Sequence, residues 1–379
     1  MKSSSPWRLG LIILAAVFLT ACQAAPVQSP LPVSTTNPVP ATIAATIAAI
    51  VPVPSTPGPT PTVPVIGPKG EILDLQGFIQ RTHDPMIVKE NGKYYVYSTG
   101  SRIPFICSSD MLNWEFCGRV FEKNLDWFRD INPNLVDIWA PDVTYFNNQW
   151  YLYYAISNFG EQNSAIALAT NTTLDPKSPQ YKWVDQGIVL RSKPGDDWNA
   201  IDPALVLDEN KQPWLAWGSF WNGIYMRKVD AASGMLDETD TTVHHLADRN
   251  PGPDNTSAIE ATFIVPHAGK WYLFVSFDQC CNGVSSTYNV HIGRSDTVTG
   301  PYVDRAGVPL LKGGGSLLLS AYDRWRGPGH NSVLIEGDTY WIAYHAYDAK
   351  QIGIPKLRIE SIAWDAEGWP VLASQTTKP

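Results

Sequence analysis

An all-β fold, a five-bladed β-propeller, follows from three observations on the 379-residue chain. Five segments share one pattern: a polar residue, an apolar run, a turn, then an aromatic strand. Turn residues separate the two halves of each segment, as in β-hairpins. Long amphipathic helices with capping signals are not evident, whereas 15 Trp, 16 Tyr and 12 Phe supply residues that strands favour.

The five segments run in order along the chain. The first joins His83-Asp84-Pro85 to Lys93-Tyr94-Tyr95-Val96-Tyr97 through Asn91-Gly92, and the second joins Ala140-Pro141-Asp142 to Gln149-Trp150-Tyr151-Leu152-Tyr153 through Asn147-Asn148. The third joins Asp202-Pro203-Ala204 to Pro213-Trp214-Leu215-Ala216-Trp217 through Glu209-Asn210. The fourth joins Glu260-Ala261-Thr262 to Lys270-Trp271-Tyr272-Leu273-Phe274 through Ala268-Gly269. The fifth joins His330-Asn331-Ser332 to Thr339-Tyr340-Trp341-Ile342-Ala343 through Gly337-Asp338. The steps between starts are 56, 62, 58 and 70 residues, enough for four short strands plus loops. Four-stranded sheets repeated around an axis make a propeller. A β-solenoid is the structural alternative, but its repeat is shorter.

The repeats occupy about residues 69–379 and hold 14 of the 15 tryptophans, most of them expected in blade cores. What precedes them is of another kind. Residues 1–21 carry Lys2 and Arg8 followed by the apolar run Leu9–Leu19, a signal-peptide length too short to span a bilayer comfortably. Leu19-Thr20-Ala21-Cys22 resembles the bacterial lipoprotein box, in which the cysteine is lipidated and anchors the chain to a membrane; a plain secretory signal is the alternative. Residues 22–68 contain no charged residue and 12 of the 31 prolines, the composition of a disordered, semi-rigid linker. The formal charge is -8; loss of Lys2 and Arg8 leaves 26 basic against 36 acidic side chains, or -10. That balance argues against a nucleic-acid partner. A monomer outside the cytoplasm is expected.

In a propeller the first strand of each blade lines the central channel, so equivalent repeat positions converge near one end of the axis. The aligned starts are Asp84, Ala140, Asp202, Glu260 and His330, and Asp142, two residues after its start, is expected on the same strand face. Three carboxylates and an imidazole on one cavity are costly to bury unless they are functional or metal-bound. Two carboxylates across a sugar ring are the minimum equipment of a glycosidase: one protonated to donate, one ionised to activate water or attack. A third tunes the acid. Trp221, in the turn-like Ser219-Phe220-Trp221-Asn222-Gly223, is a candidate sugar platform, and Ser219 and Asp142 are candidate substrate contacts. His291 and Arg294 are expected to be structural.

These residues resemble glycoside hydrolase family 43, the propeller family of inverting arabinanases, arabinofuranosidases and xylosidases. The resemblance rests on Thr82-His83-Asp84-Pro85, Trp139-Ala140-Pro141-Asp142, Ala200-Ile201-Asp202-Pro203 and Ala258-Ile259-Glu260-Ala261. Asn158-Phe159-Gly160, Cys280-Cys281-Asn282-Gly283 with Ser286-Thr287-Tyr288-Asn289, and Gly327-Pro328-Gly329-His330-Asn331-Ser332 resemble its endo-1,5-α-L-arabinanases in particular. The resemblance implies Asp84 as general base, Glu260 as general acid and Asp202 as the residue that tunes and orients the acid. It implies Trp139 and Phe159 around the sugar on the non-reducing side, and His330 beside a calcium ion held largely through water. The implied substrate is arabinan, cut internally. The chain departs from the family at Thr262, where proline is usual; an altered start to the strand and a hydroxyl near Glu260 are expected. An exo-acting member of the family and a non-catalytic glycan-binding propeller are the rival readings. Cys107 and Cys117 could pair in an oxidising compartment, and Cys280–Cys281 is either a ring between neighbours or two thiols.

Overall fold

Apolar runs closed by tight turns put each repeated segment into an antiparallel sheet. The computed structural model describes residues 70–249 and 257–376; the signal segment, Cys22 and the linker lie outside the described residues. Blade 1 consists of Met86–Glu90, Lys93–Tyr97, Pro104–Ser108 and Asn113–Arg119, and blade 2 of Trp139–Phe146, Gln149–Ile156, Ser164–Asn171 and Val184–Ser192. Blade 3 consists of Ala204–Leu207, Pro213–Trp217, Ile224–Lys228 and His244–Ala247. Blade 4 consists of Ile259–His267, Lys270–Phe277, Asn289–Ser295 and Ser316–Leu319, and blade 5 of Trp325–Glu336, Thr339–Asp348, Ile354–Trp364 and Pro370–Leu372. The inner strands touch one another in the order 1-2-3-4-5-1, so the ring closes.

Each blade is buried on both faces, which is why its strands read as near-continuous apolar runs. Alternate side chains of one strand go to opposite junctions. Tyr151 and Tyr153 pack with Leu205, Leu215 and Trp217 of blade 3, whereas Leu152 and Tyr154 pack with Val88, Tyr95 and Tyr97 of blade 1. Five apolar clusters result, one at each junction. Seven of the fourteen tryptophans among repeats are buried there, including Trp217 and Trp271. His291 and Arg294 are structural as expected: one ring stacks on Phe277, and the guanidinium lies over Trp369.

The first and last blades are joined by the segment that precedes blade 1. Leu73 and Arg81 donate backbone hydrogen bonds to Ile359 and Pro355 of blade 5, and Phe78 donates to Trp114 of blade 1. Four of the five inner hairpins turn in two residues, with Asn91, Asn147, Ala268 and Gly337 at positive φ; the third, through Glu209-Asn210, needs a longer loop with Lys211 at φ 63°.

Asp142 is not on the channel wall, contrary to the two-residue spacing argument. A register shift between Trp139 and Asp142 breaks the simple alternation, and the Asp142 carboxylate accepts the backbone N–H of Leu205 at 3.1 Å in the neighbouring inner strand. Ser332 is its counterpart in blade 5, accepting the Ile87 N–H at 3.1 Å. Asp142 is therefore a stitch between blades. Burial pushes its pKa up to about 7, against the opposing Leu205 and Thr144 hydrogen bonds. A carboxyl whose folded pKa is raised loses stability as pH climbs through that value. Asp142→Asn keeps an acceptor for Leu205 and removes the ionisation. Its melting temperature should exceed that of the wild type by a few degrees at pH 8 and converge with it below about pH 4, the ordinary carboxyl value in the unfolded chain; parallel curves would rule out a titrating Asp142.

Candidate active site

Each blade has one residue in the left-handed region at its inner strand, just before the strand in blades 1 and 3 and at a register shift within it in blades 2, 4 and 5: Asp84 (φ 49°), Ala140 (φ 43°), Asp202 (φ 55°), Ala261 (φ 58°) and His330 (φ 48°). For non-glycine residues this conformation costs about 1–3 kcal/mol each and persists only where surroundings enforce it. Here the backbone N–H groups are latched to the preceding blade. Asp84 donates to His345 Nδ1 (3.2 Å), Ala140 to Thr99 Oγ1 (2.8 Å), Ala261 to Asp202 Oδ2 (3.0 Å) and His330 to Ser276 Oγ (3.0 Å). In the fourth repeat the equivalent position is thus Ala261, not Glu260 as the sequence alignment has it. The residue that follows is Pro85, Pro141 or Pro203 in the first three repeats and Thr262 or Asn331 in the last two. Glu260 reaches the centre from one residue earlier.

Asp84, Asp202, Glu260 and His330 line one cavity of about 710 Å³. His330 Nδ1 lies 3.1 Å from Asp84 Oδ1, and Thr99 Oγ1–H donates to Asp84 Oδ2 at 2.5 Å. Glu260 is held at both oxygens: Ser219 Oγ–H donates to Oε2 at 2.7 Å and Tyr288 Oη–H to Oε1 at 2.8 Å. Burial pushes the Asp84 pKa up, but His330 and His83 outweigh it and leave the carboxyl well below its usual range. Burial raises Glu260 in spite of Ser219 and Tyr288, and raises Asp202 to about 7 in spite of His330. Burial would lower His330, yet Asp84 and Asp202 bring it to about 9. The four groups thus divide into an ionised base, two carboxyls that favour the proton, and one cation.

The expected sugar contacts other than Asp142 also line this cavity. Trp139 opens the inner strand of blade 2, and Phe159 stands 80% exposed on the next loop, an aromatic surface left open to a partner. Ser219 is buried against Glu260. Phe220 and Trp221 both adopt positive φ (52° and 43°), fixed by the bonds Phe220 N–H to Ile259 O and Gly223 N–H to Phe220 O. A Cβ at Gly218 or Gly223 would lie 2.2 or 2.1 Å from a backbone oxygen, so this turn admits only glycine at its ends.

Sequence reasoning missed four contributors. Thr99 relays the Ala140 amide to Asp84, and Tyr288 holds the acid. His345, fully buried, accepts the Asp84 amide and is kept neutral by burial. His83 Nδ1 lies 3.8 Å from Asp84 Oδ1 and its Nε2 shares a hydrogen bond with Tyr347 Oη at 3.1 Å. Tyr288 sits inside a stretch already notable for its resemblance; Thr99 and His345 carry no local signal. Both cysteine pairs are disulfides, Cys107–Cys117 and Cys280–Cys281, and the second lines the cavity. The Thr262 hydroxyl and both side-chain polar atoms of Asn331 are buried without a hydrogen-bond partner. Orphaned oxygens at equivalent positions of blades 4 and 5, beside His330 and three acids, form a polar centre suited to water and a hydrated cation.

Residues 78–370 match the family described as Glycosyl hydrolases family 43. The chain is 40% identical over 293 residues to the extracellular endo-alpha-(1->5)-L-arabinanase 1 of Bacillus subtilis, covering 76% of this chain and 86% of that one. It is equally 40% identical over 296 residues to the extracellular exo-alpha-(1->5)-L-arabinofuranosidase ArbA of Cellvibrio japonicus, covering 76% and 85%. Its fold is similar to that of the Cellvibrio cellulosa alpha-L-arabinanase complexed with arabinohexaose, with a TM-score of 0.73, 39% identity, and coverage of 78% and 96%.

A proton donor must be protonated, so with Glu260 in that role the upper pH limit of hydrolysis would report its centre. The Ser219 hydroxyl stabilises the Glu260 carboxylate. Removing it in Ser219→Ala raises an already raised pKa, and the alkaline limb of kcat/KM should move up by about one pH unit. A downward shift would contradict the assignment of that limb to Glu260.

Proposed function

The chain belongs to glycosyl hydrolase family 43, and we propose that it is an inverting endo-α-1,5-L-arabinanase acting on the arabinan side chains of pectin. One observation carries this reading. A single cavity holds a carboxylate pushed toward ionisation, Asp84, and a carboxyl pushed toward protonation, Glu260. Environments that drive two acids apart define a base and an acid.

In this mechanism arabinose units lie across Trp139, Phe159 and Trp221, and Asp84 takes the proton of a water that attacks the anomeric carbon. Glu260 gives its proton to the departing glycosidic oxygen, so the configuration inverts in one displacement. Asp202 carries no bond to the sugar in this scheme. Its Oδ2 fixes the Ala261 amide next to Glu260, and its charge state is linked to that of the acid. His330 holds Asp84 ionised. A calcium ion at this polar centre would be held through water beside His330, Thr262 and Asn331, and would take over from the imidazolium in supplying positive charge beside the carboxylates. The extracellular relatives and the Leu19-Thr20-Ala21-Cys22 box support action outside the cytoplasm by a lipid-anchored protein.

Glu260→Gln should lower kcat on linear arabinan by about 10²–10⁴-fold while substrate binding survives. Wild-type products resolved by size should be a ladder of oligosaccharides in the first minutes. Arabinose alone from the outset would establish the exo mode named for ArbA instead. Chelation of calcium should lower activity or melting temperature, with restoration by added Ca²⁺; if EDTA changes neither, the ion has no role here.

A further inference from the structure

The loop between the second and third strands repeats in every blade, and in four of them it lines the cavity: Thr99 in blade 1, Phe159 in blade 2, Trp221 in blade 3 and Cys280–Cys281 in blade 4. The same connection in blade 5 is the short turn Ala349–Gln351 followed by Ile352. Ile352 is doubly anomalous. It is a β-branched residue held at φ 54°, ψ 32°, and its side chain is 97% exposed. A β-branched residue in the left-handed region is a genuine outlier, and glycine or asparagine would serve such a turn better.

The surroundings impose the strain. Asp348, fully buried, accepts the Lys350 N–H (3.0 Å), pairs with Lys356 (3.0 Å) and Arg324 (3.4 Å), and its carbonyl accepts the Gly353 N–H (2.9 Å). The turn is also fastened to the cavity wall. A Cβ at Gly353 would lie 2.7 Å from the Val284 backbone nitrogen, so only glycine permits this approach to the turn Gly283–Ser285. Cys281 N–H donates to Tyr347 Oη at 2.8 Å, tying the disulfide ring to the same strand end. Val284 is itself half exposed, so an apolar rim runs from the disulfide through Val284 to Ile352.

In the ring order 1-2-3-4-5, the junction of blades 4 and 5 lies across the axis from blade 2, where Trp139 and Phe159 stand. A chain held over blade 2 and crossing the acids at the centre leaves over this junction. Glu260 is on blade 4, the side from which it would protonate the departing part of the chain. We propose that Val284 and Ile352, continuing from the Cys280–Cys281 ring, form the binding surface for the leaving arabinan segment several units beyond the cut bond. This rests on the arabinanase reading above and adds to it a specificity-determining surface for long chains. Strain at Ile352 is retained because it keeps an apolar side chain in the path of the polymer.

The test compares kcat/KM of the purified full chain on debranched linear arabinan and on arabinotriose, which is too short to span from the acids to the rim. For Ile352→Gly the ratio of polymer to triose efficiency should fall about five-fold, the worth of one apolar contact of this size. The same substitution relieves the left-handed strain, so the melting temperature should hold or rise, which separates the effect from unfolding. Ile352→Met, which retains an apolar side chain, should keep the wild-type ratio. An unchanged ratio in Ile352→Gly overturns the rim while leaving arabinan cleavage intact. Failure of the wild type to cleave either substrate overturns the arabinanase reading itself.

Discussion

The site depends on one backbone constraint, the left-handed residue that recurs at the inner strand of every blade. Five times around the ring the chain is turned by a residue that prefers not to be there, and at three of these positions the side chain turned into the centre is Asp84, Asp202 or His330. The amide latches make the arrangement self-supporting. Each of these four latches runs from one blade to a side chain of the blade before it, so blade docking and side-chain placement are a single event. Asp202 serves twice, as the acceptor that sets the Ala261 turn and as a carboxyl facing the acid. A blade that shifted by one residue would lose both its junction packing and its charged group.

The electrostatics follow from that placement. Three acids brought into a dry cavity cannot all ionise, because burial penalises each charge and each charge opposes the next. The structure resolves this by unequal support. Asp84 has Thr99, His330 and His83 against it and stays ionised; Glu260 has only neutral hydroxyl donors from Ser219 and Tyr288. His345 Nδ1 lies 3.5 Å from Asp84 Oδ1, nearer than His83, but it is committed to accepting a backbone N–H and its ring is enclosed, so it stays neutral. The cationic role falls to His330, one blade start removed. Two buried histidines near one carboxylate thus end in opposite states for reasons of geometry.

Much of this was legible in the sequence because repetition reports on position. The five hairpins, their turn residues and the convergence of Asp84, Asp202, Glu260 and His330 follow from period alone. The errors arise where the backbone departs from its own average. Asp142 sits two residues from a blade start, and strict alternation would aim it at the channel; the register shift at Trp139–Asp142 aims it at Leu205 instead. Glu260 aligns by charge with Asp84, while by conformation Ala261 does. The proline of the first three repeats marks the true register, and Thr262 and Asn331 obscure it in the last two. Thr99, Tyr288 and His345 act through contacts 15 to 261 residues away, which no local pattern encodes.

The same repeat divides labour between chemistry and recognition. Residues at the blade starts are latched to the ring, and a change there disturbs the packing of two blades. The loops between second and third strands are fastened only at their ends, by Gly218 and Gly223 around Trp221 and by Asp348 and Gly353 around Ile352. What lies between those anchors is free to vary in side chain without cost to the core. Two relatives at 40% identity bear endo and exo names. The fold accommodates both most simply if the central acids and their latches are common and the loops alone decide how much of the polymer is held on either side of the cut. Binding strength along the chain then sets which bonds reach the acids, while, in the proposed mechanism, the rate at a bond that has reached them is set by Asp84 and Glu260.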